Sequence, residues 1–141
     1  LNICYGVEAK PEMAQDEHIL DFDGQFVVVS SEYEARKLSA GNSEEVFSLI
    51  ALESPSITAR FYDYGFFSAK EKYYLYENMT VPFSIIAGSD IDIQMALFQI
   101  EEHLLAIDHT GEPIYFIAQQ ERELIHRFAK AYNIQIVFIS T

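Results

Sequence analysis

The feature that most constrains the fold is a change of hydrophobic period in the last third of the chain. Pro113–Ala118 is an apolar run of strand length. Gln119–Tyr132 then sets Leu124, Ile125, Phe128 and Ala129 at helical spacing. Asn133, a residue that tolerates the left-handed cap, precedes a second apolar run, Ile134–Ile139. Strand, helix, strand in that order predicts a βαβ unit, with a parallel pair and a right-handed crossover. In that unit Ile134, Ile136, Phe138 and Leu124 are expected to be buried. The class is therefore α/β (or α+β), with a mixed sheet and helices packed on it. The 141 residues, half of them hydrophobic, suit one compact domain over 1–141 with no need of metal or disulfide.

Elements alternate upstream as well. A short strand is expected near Asn2–Gly6. Ile19–Phe22 and Gln25–Val29 flank Asp23-Gly24, a strong hairpin signal. Ser31-Glu32-Tyr33-Glu34 has the form of a capping box for a helix through Leu38, ending at Gly41. A second helix is expected from Asn42 to about Glu53, and a strand over Ile57–Tyr62. Residues 64–80 read two ways. Ser68-Ala69-Lys70-Glu71 could cap a helix, whereas Tyr73-Tyr74-Leu75-Tyr76 suits a strand. Phe83–Ala87 is a buried-strand pattern. After Gly88, Ser89 or Asp90 caps a helix whose apolar row is Ile93, Leu97, Ile100, Leu104 and Ile107. Glu101, Glu102 and His103 fall on its outer side.

Charge bounds the partners. Asp and Glu number 22 against 9 Lys and Arg, a formal net charge of −13. Residues 1–53 are the more one-sided, with eleven acids against three bases. Nucleic acid and anionic membrane both call for a basic surface, so neither is an expected ligand. A basic protein is, because an acidic face steers its approach. Acidity of this kind is also common among bacterial cytosolic proteins, where it serves solubility. No run reaches the roughly 18 apolar residues of a membrane span. No basic segment followed by an apolar one marks a signal peptide, and Cys4 has no second cysteine to pair with. A cytoplasmic location is the expectation.

Motifs for chemistry are sparse. His18, His103, His109 and His126 are scattered and Cys4 is single, which is not the clustered spacing zinc requires. No metal or other cofactor is expected. Neither a Gly-x-Ser-x-Gly elbow nor a glycine-rich phosphate loop is present.

One acidic segment carries a resemblance. Ile19-Leu20-Asp21-Phe22-Asp23-Gly24 resembles the first motif of the haloacid dehalogenase superfamily, and Ile85–Asp92 is similar to its terminal acidic motif. The resemblance implies a magnesium-dependent phosphatase-like enzyme, with Asp21 as nucleophile and Asp23 as acid/base. Gln25 stands where that family has Thr, and the intervening Ser/Thr and Lys motifs are not found in order. The competing reading is a hairpin turn, under which Asp21→Asn costs little stability.

Aromatic residues crowd Phe61–Tyr76, which holds Tyr73, Tyr74 and Tyr76. Rings in such a cluster form a core, or a surface for a partner or for self-association. Leu104–Ile117 resembles the C-terminal hairpin of SUKH-type immunity domains. That resemblance implies a strand at Leu104–Ile107 in place of the helix end.

The leading expectation is a non-catalytic acidic domain of inhibitor or immunity type, masking a basic partner such as a nuclease toxin. The residues chosen for contact are Glu44, Glu45, Glu101, Glu102, Tyr73, Tyr74 and Tyr76. The alternatives are the phosphatase with Asp21 and Asp23, and a structural or assembly subunit that forms a homodimer.

Overall fold

The structure, a computed structural model, describes residues 1–10, 13, 16–39 and 46–140. The class is mixed α+β, with three α-helices and two antiparallel sheets among the described residues. The chain divides into two compact units: Leu1–Leu52 with Gly65–Glu77, and Glu53–Tyr64 with Asn78–Thr141.

The first unit opens with β1 (Asn2–Glu8), the hairpin β2 (Ile19–Asp23) and β3 (Phe26–Val29), then α1 (Glu32–Leu38) and β4 (Val46–Leu52). After an excursion into the second unit that holds β5 (Pro55–Ile57), it closes with β6 (Gly65–Phe67) and β7 (Tyr73–Tyr76). The sheet order is β2-β3-β1-β4-β7-β6. Asp23 pairs with Phe26, so the hairpin turn centres on Gly24-Gln25, one residue later than the sequence indicates. Gly24 alone takes a positive φ, +52°, the place glycine holds in a type II′ turn. Ser31 caps α1 as expected, its hydroxyl accepting from Glu34 N at 3.1 Å.

One expectation here is corrected, and the open reading of residues 64–80 is decided for the strand at Tyr73–Tyr76. Val46–Leu52 is a strand, not a helix, paired on both edges by β1 and β7. Leu49 and Ile50 are adjacent and both fully buried. A strand covered on both faces shows a continuous apolar run, which lacks the alternation that identifies strands. Ser68–Glu71 forms the β6–β7 turn instead of a helix, with Glu71 at φ +61°. One face of the sheet is covered by α1 over Val7, Val27 and Val29; the other buries Val28, Leu49, Phe66 and Tyr74.

The second unit contains β8 (Thr80–Ala87), α2 (Asp90–Ile100), β9 (Leu104–Asp108), β10 (Ile114–Ala118), α3 (Arg122–Ala131) and β11 (Gln135–Phe138). Its sheet order is β11-β8-β10-β9-β5. β10 and β11 both run antiparallel to β8, and so point the same way, but β8 lies between them. The βαβ connection is therefore split, no ladder joins its two strands, and the sheet is antiparallel rather than mixed. β11 is an edge strand; Ile134 is buried, whereas Ile136, Phe138 and Leu124 are half-buried. Asn133 takes the left-handed cap at φ +58°.

Leu104–Asp108 is β9, so the α2 helix stops short of Leu104 and Ile107, in line with the hairpin alternative. Ile57–Tyr62 is not one strand: β5 ends at Ile57 and a 3₁₀ turn covers Ala59–Asp63. Thr58 fixes that change of course, its hydroxyl donating to Leu104 O at 2.7 Å. The core lies between this sheet and the helices α2 and α3, around Phe83, Ile100, Leu104, Ile117 and Ile125. Phe83 stacks on Tyr115 at 5.3 Å between centroids.

Candidate functional site

The paired acids of β2 have unlike surroundings. Asp21 is fully buried. Its Oδ1 accepts from Phe22 N at 2.8 Å and Lys70 N at 3.1 Å. Its Oδ2 accepts from Tyr74 Oη at 2.9 Å and from Ser68 Oγ in a short contact. Burial pushes the carboxyl up, but the bonds from Ser68, Phe22, Tyr74 and Lys70 outweigh it, and the net shift is downward. Asp21 is thus a buried anion with both oxygens engaged. Ala69 N also donates to Phe22 O at 2.8 Å. These bonds join β2, at one edge of the sheet, to the turn that follows β6, at the other edge. They curl the sheet into a half-barrel.

Asp23 is half-buried at the end of β2, and its charge adds to burial in raising the Tyr76 hydroxyl. A nucleophilic carboxylate needs a lone pair facing an open approach. Asp21 has its lone pairs occupied by four protein donors. No group of three or more His, Cys, Asp or Glu that could hold a metal occurs among the described residues. Burial raises the Cys4 thiol, with Lys72 opposing, which disfavours the reactive thiolate.

The tyrosines of β7 are placed largely inward. Tyr74 is buried, stacked on Phe66 at 5.2 Å, and its hydroxyl is raised by burial and by its bond to Asp21. Tyr73 and Tyr76 are half-buried and lie against Phe67 and Phe47 at 4.7 and 5.9 Å. Glu44 and Glu45 lie outside the described residues. Glu101 and Glu102 are exposed, in the 3₁₀ turn that extends α2.

The sequence reading missed the outer face of that helix. Ser89 caps α2, its hydroxyl accepting from Asp92 N at 3.1 Å, and Asp90 and Asp92 occupy the first turn, where the helix dipole favours acid. Ala96 and Ile100 are buried, with Ile93 and Leu97 half-buried beside them. On the other side Ile91 is 73% exposed, Met95 54% and Phe98 68%. These residues are at i, i+4 and i+7, one continuous row along the helix. Glu102 is the next position of the row, and Gln94 and Gln99 are exposed on its flanks. The C-terminal end is clamped. Arg60 Nη1 donates to Glu121 Oε2 and to His103 O, each at 3.2 Å, and His103 Nδ1 lies 3.2 Å from Glu121 Oε1. The row lies on a helix capped at one end and, through the turn that follows it, tied at the other.

No protein-family model matches the chain, and neither a curated protein nor a solved structure matches it.

Proposed function

We propose that this chain is a non-catalytic protein-binding domain of the inhibitor or immunity type, which masks a basic partner through the outer face of α2. The observation that carries the reading is the exposed row Ile91, Met95 and Phe98 with Glu101 and Glu102 at its end. Large apolar side chains grouped on the surface of a folded domain mark a contact surface more often than scattered ones do. Acid around them favours a basic partner and disfavours nucleic acid and anionic membrane, in keeping with the net charge of −13. No described helix is long and apolar enough to cross a membrane. The acidity and the single cysteine Cys4 fit a bacterial cytoplasmic setting.

The test is to isolate a basic protein that copurifies with the chain, reconstitute the complex from purified components, and measure association rates across a salt series. Charge reversal with Glu101→Lys and Glu102→Lys together should slow association and flatten its salt dependence. Rates independent of salt and of both reversals overturn the reading.

A further inference from the structure

Resting on the reading above, we infer that the occupant of the α2 face is a single amphipathic helix of the partner, apolar at its centre and basic at its ends. Three features of the row lead to this. Its span, from Ile91 to Phe98, is seven helical rises, about 10 Å, which two to three turns of a facing helix would cover. Between its terminal turns the backbone of α2 is committed to its own helix, so a partner over the middle of the row must bind through side chains. An extended peptide laid on this row would have its own N–H and C=O groups stranded over apolar surface; a helix arrives with them already paired.

The charge pattern sets the second half of the proposal. No acid flanks the middle of the row, where Gln94 and Gln99 stand. Acid gathers toward the two ends: Asp90 and Asp92 in the first turn, on either side of Ile91, and Glu101 and Glu102 after Phe98. Lys or Arg in the occupant is therefore matched at its termini, and apolar residues at its centre.

The same pattern argues against a second copy of this chain. Another copy carries the same net charge of −13 and the same acids at both ends of the row.

The probe is a synthetic, end-blocked and labelled peptide of about 16 residues, helical in design, with Leu at i, i+4 and i+7 and Lys near both ends. Its binding is read by fluorescence anisotropy, beside a peptide of identical composition in scrambled order. The ordered peptide should bind at least tenfold more tightly than the scrambled one. Phe98→Ser and Glu102→Lys should each weaken the ordered peptide at least fivefold. Phe98 is mostly exposed, so the Phe98→Ser chain should melt with the native one, and Met95→Ser serves as the second variant if it does not.

Equal binding of the two peptides, or binding indifferent to Phe98 and Met95, overturns the inference. So does a native dimer in sedimentation that Phe98→Ser dissociates. If the peptide fails while the reconstituted basic protein still depends on Phe98, the helical occupant is refuted and the partner-masking function stands. If neither depends on Phe98, that function falls as well.

Discussion

Replacing Asp21 by Asn tests whether the buried carboxylate is the latch of the half-barrel. Asp21 receives two backbone N–H groups on one oxygen and two hydroxyls on the other. An amide keeps one acceptor oxygen, which can serve Phe22 N and Lys70 N. Its NH₂ must then face Ser68 and Tyr74, whose hydroxyls have to turn from donors to acceptors. Ser68 Oγ already accepts from Lys72 N at 3.1 Å, so taking the amide NH₂ as well fills both its lone pairs and leaves its own O–H without Asp21 as acceptor. Hydrogen bonds to a charged group contribute about 1.5–3 kcal/mol against about 1 for neutral ones, and several are weakened here. Not having to bury a charge offsets part of the loss, which leaves about 2–3 kcal/mol. A simple hairpin turn, without these four donors, predicts a smaller cost.

Urea unfolding followed by tyrosine fluorescence and circular dichroism measures that loss. The cost should also depend on pH. The native-state pKa of Asp21 lies below its ordinary value of 3.8. The carboxylate therefore contributes its full stabilisation above that value and loses it as pH falls through the lower native one. Native and Asp21→Asn chains should differ at pH 7 and converge in strong acid. A difference under about 1 kcal/mol at pH 7, or one unchanged at acid pH, refutes the latch.

Tyr74→Phe removes one of the four donors and should cost about 1 kcal/mol, coupled to Asp21→Asn in a double-mutant cycle. Phe83→Ala should cost about 3–5 kcal/mol by thermal unfolding, because the ring is fully buried between Tyr115 and Phe138. Ser89→Ala removes the cap of α2 and should cost about 1 kcal/mol, with weaker peptide binding to the helix it supports. Gly88→Ala should destabilise the second unit: its φ is +147° and an added Cβ would meet Ile134 Cγ2 at 2.8 Å, so hydrogen exchange should quicken in β8 and β11.

The local signals in the sequence were the reliable ones. Ser31 caps α1, Gly24 turns the first hairpin, and Asn133 ends α3 in the left-handed region, because each depends on one residue's own chemistry. Apart from the Ser68–Glu71 capping-box pattern, which forms a turn, the failures are non-local. Val46–Leu52 lacks alternation because two other strands and both faces cover it, which no window of its own residues records. The split of the βαβ unit is of the same kind. Which strand lies between β10 and β11 is decided by β8, some thirty residues upstream of β10, whose apolar side chains compete for the same sheet position. The hairpin resemblance at Leu104–Ile117 placed β9 correctly where periodicity extended a helix through it, since an apolar strand following α2 prolongs the same apolar count.

The candidate site was half visible, and the reason lies in counting. Glu101 and Glu102 were placed outward from the inward row alone. The residues between them and Ser89 hold more information: seven of the eleven positions of α2 are apolar, namely Ile91, Ile93, Met95, Ala96, Leu97, Phe98 and Ile100. A helix resting one face on a sheet needs about three or four apolar residues in two turns. Ile93, Ala96, Leu97 and Ile100 meet that need, so Ile91, Met95 and Phe98 are surplus to the fold. A surplus arranged at i, i+4 and i+7 forms a second apolar face, and it is this face that the proposed function uses. The fully buried Asp21 shows the converse. Its acidic pair drew attention as possible chemistry, yet its four donors come from residues 22, 68, 70 and 74, and only the folded sheet brings most of them together. Asp21, which stands out by type, serves the fold, whereas Ile91, Met95 and Phe98, which stand out by excess, lie exposed outside its core.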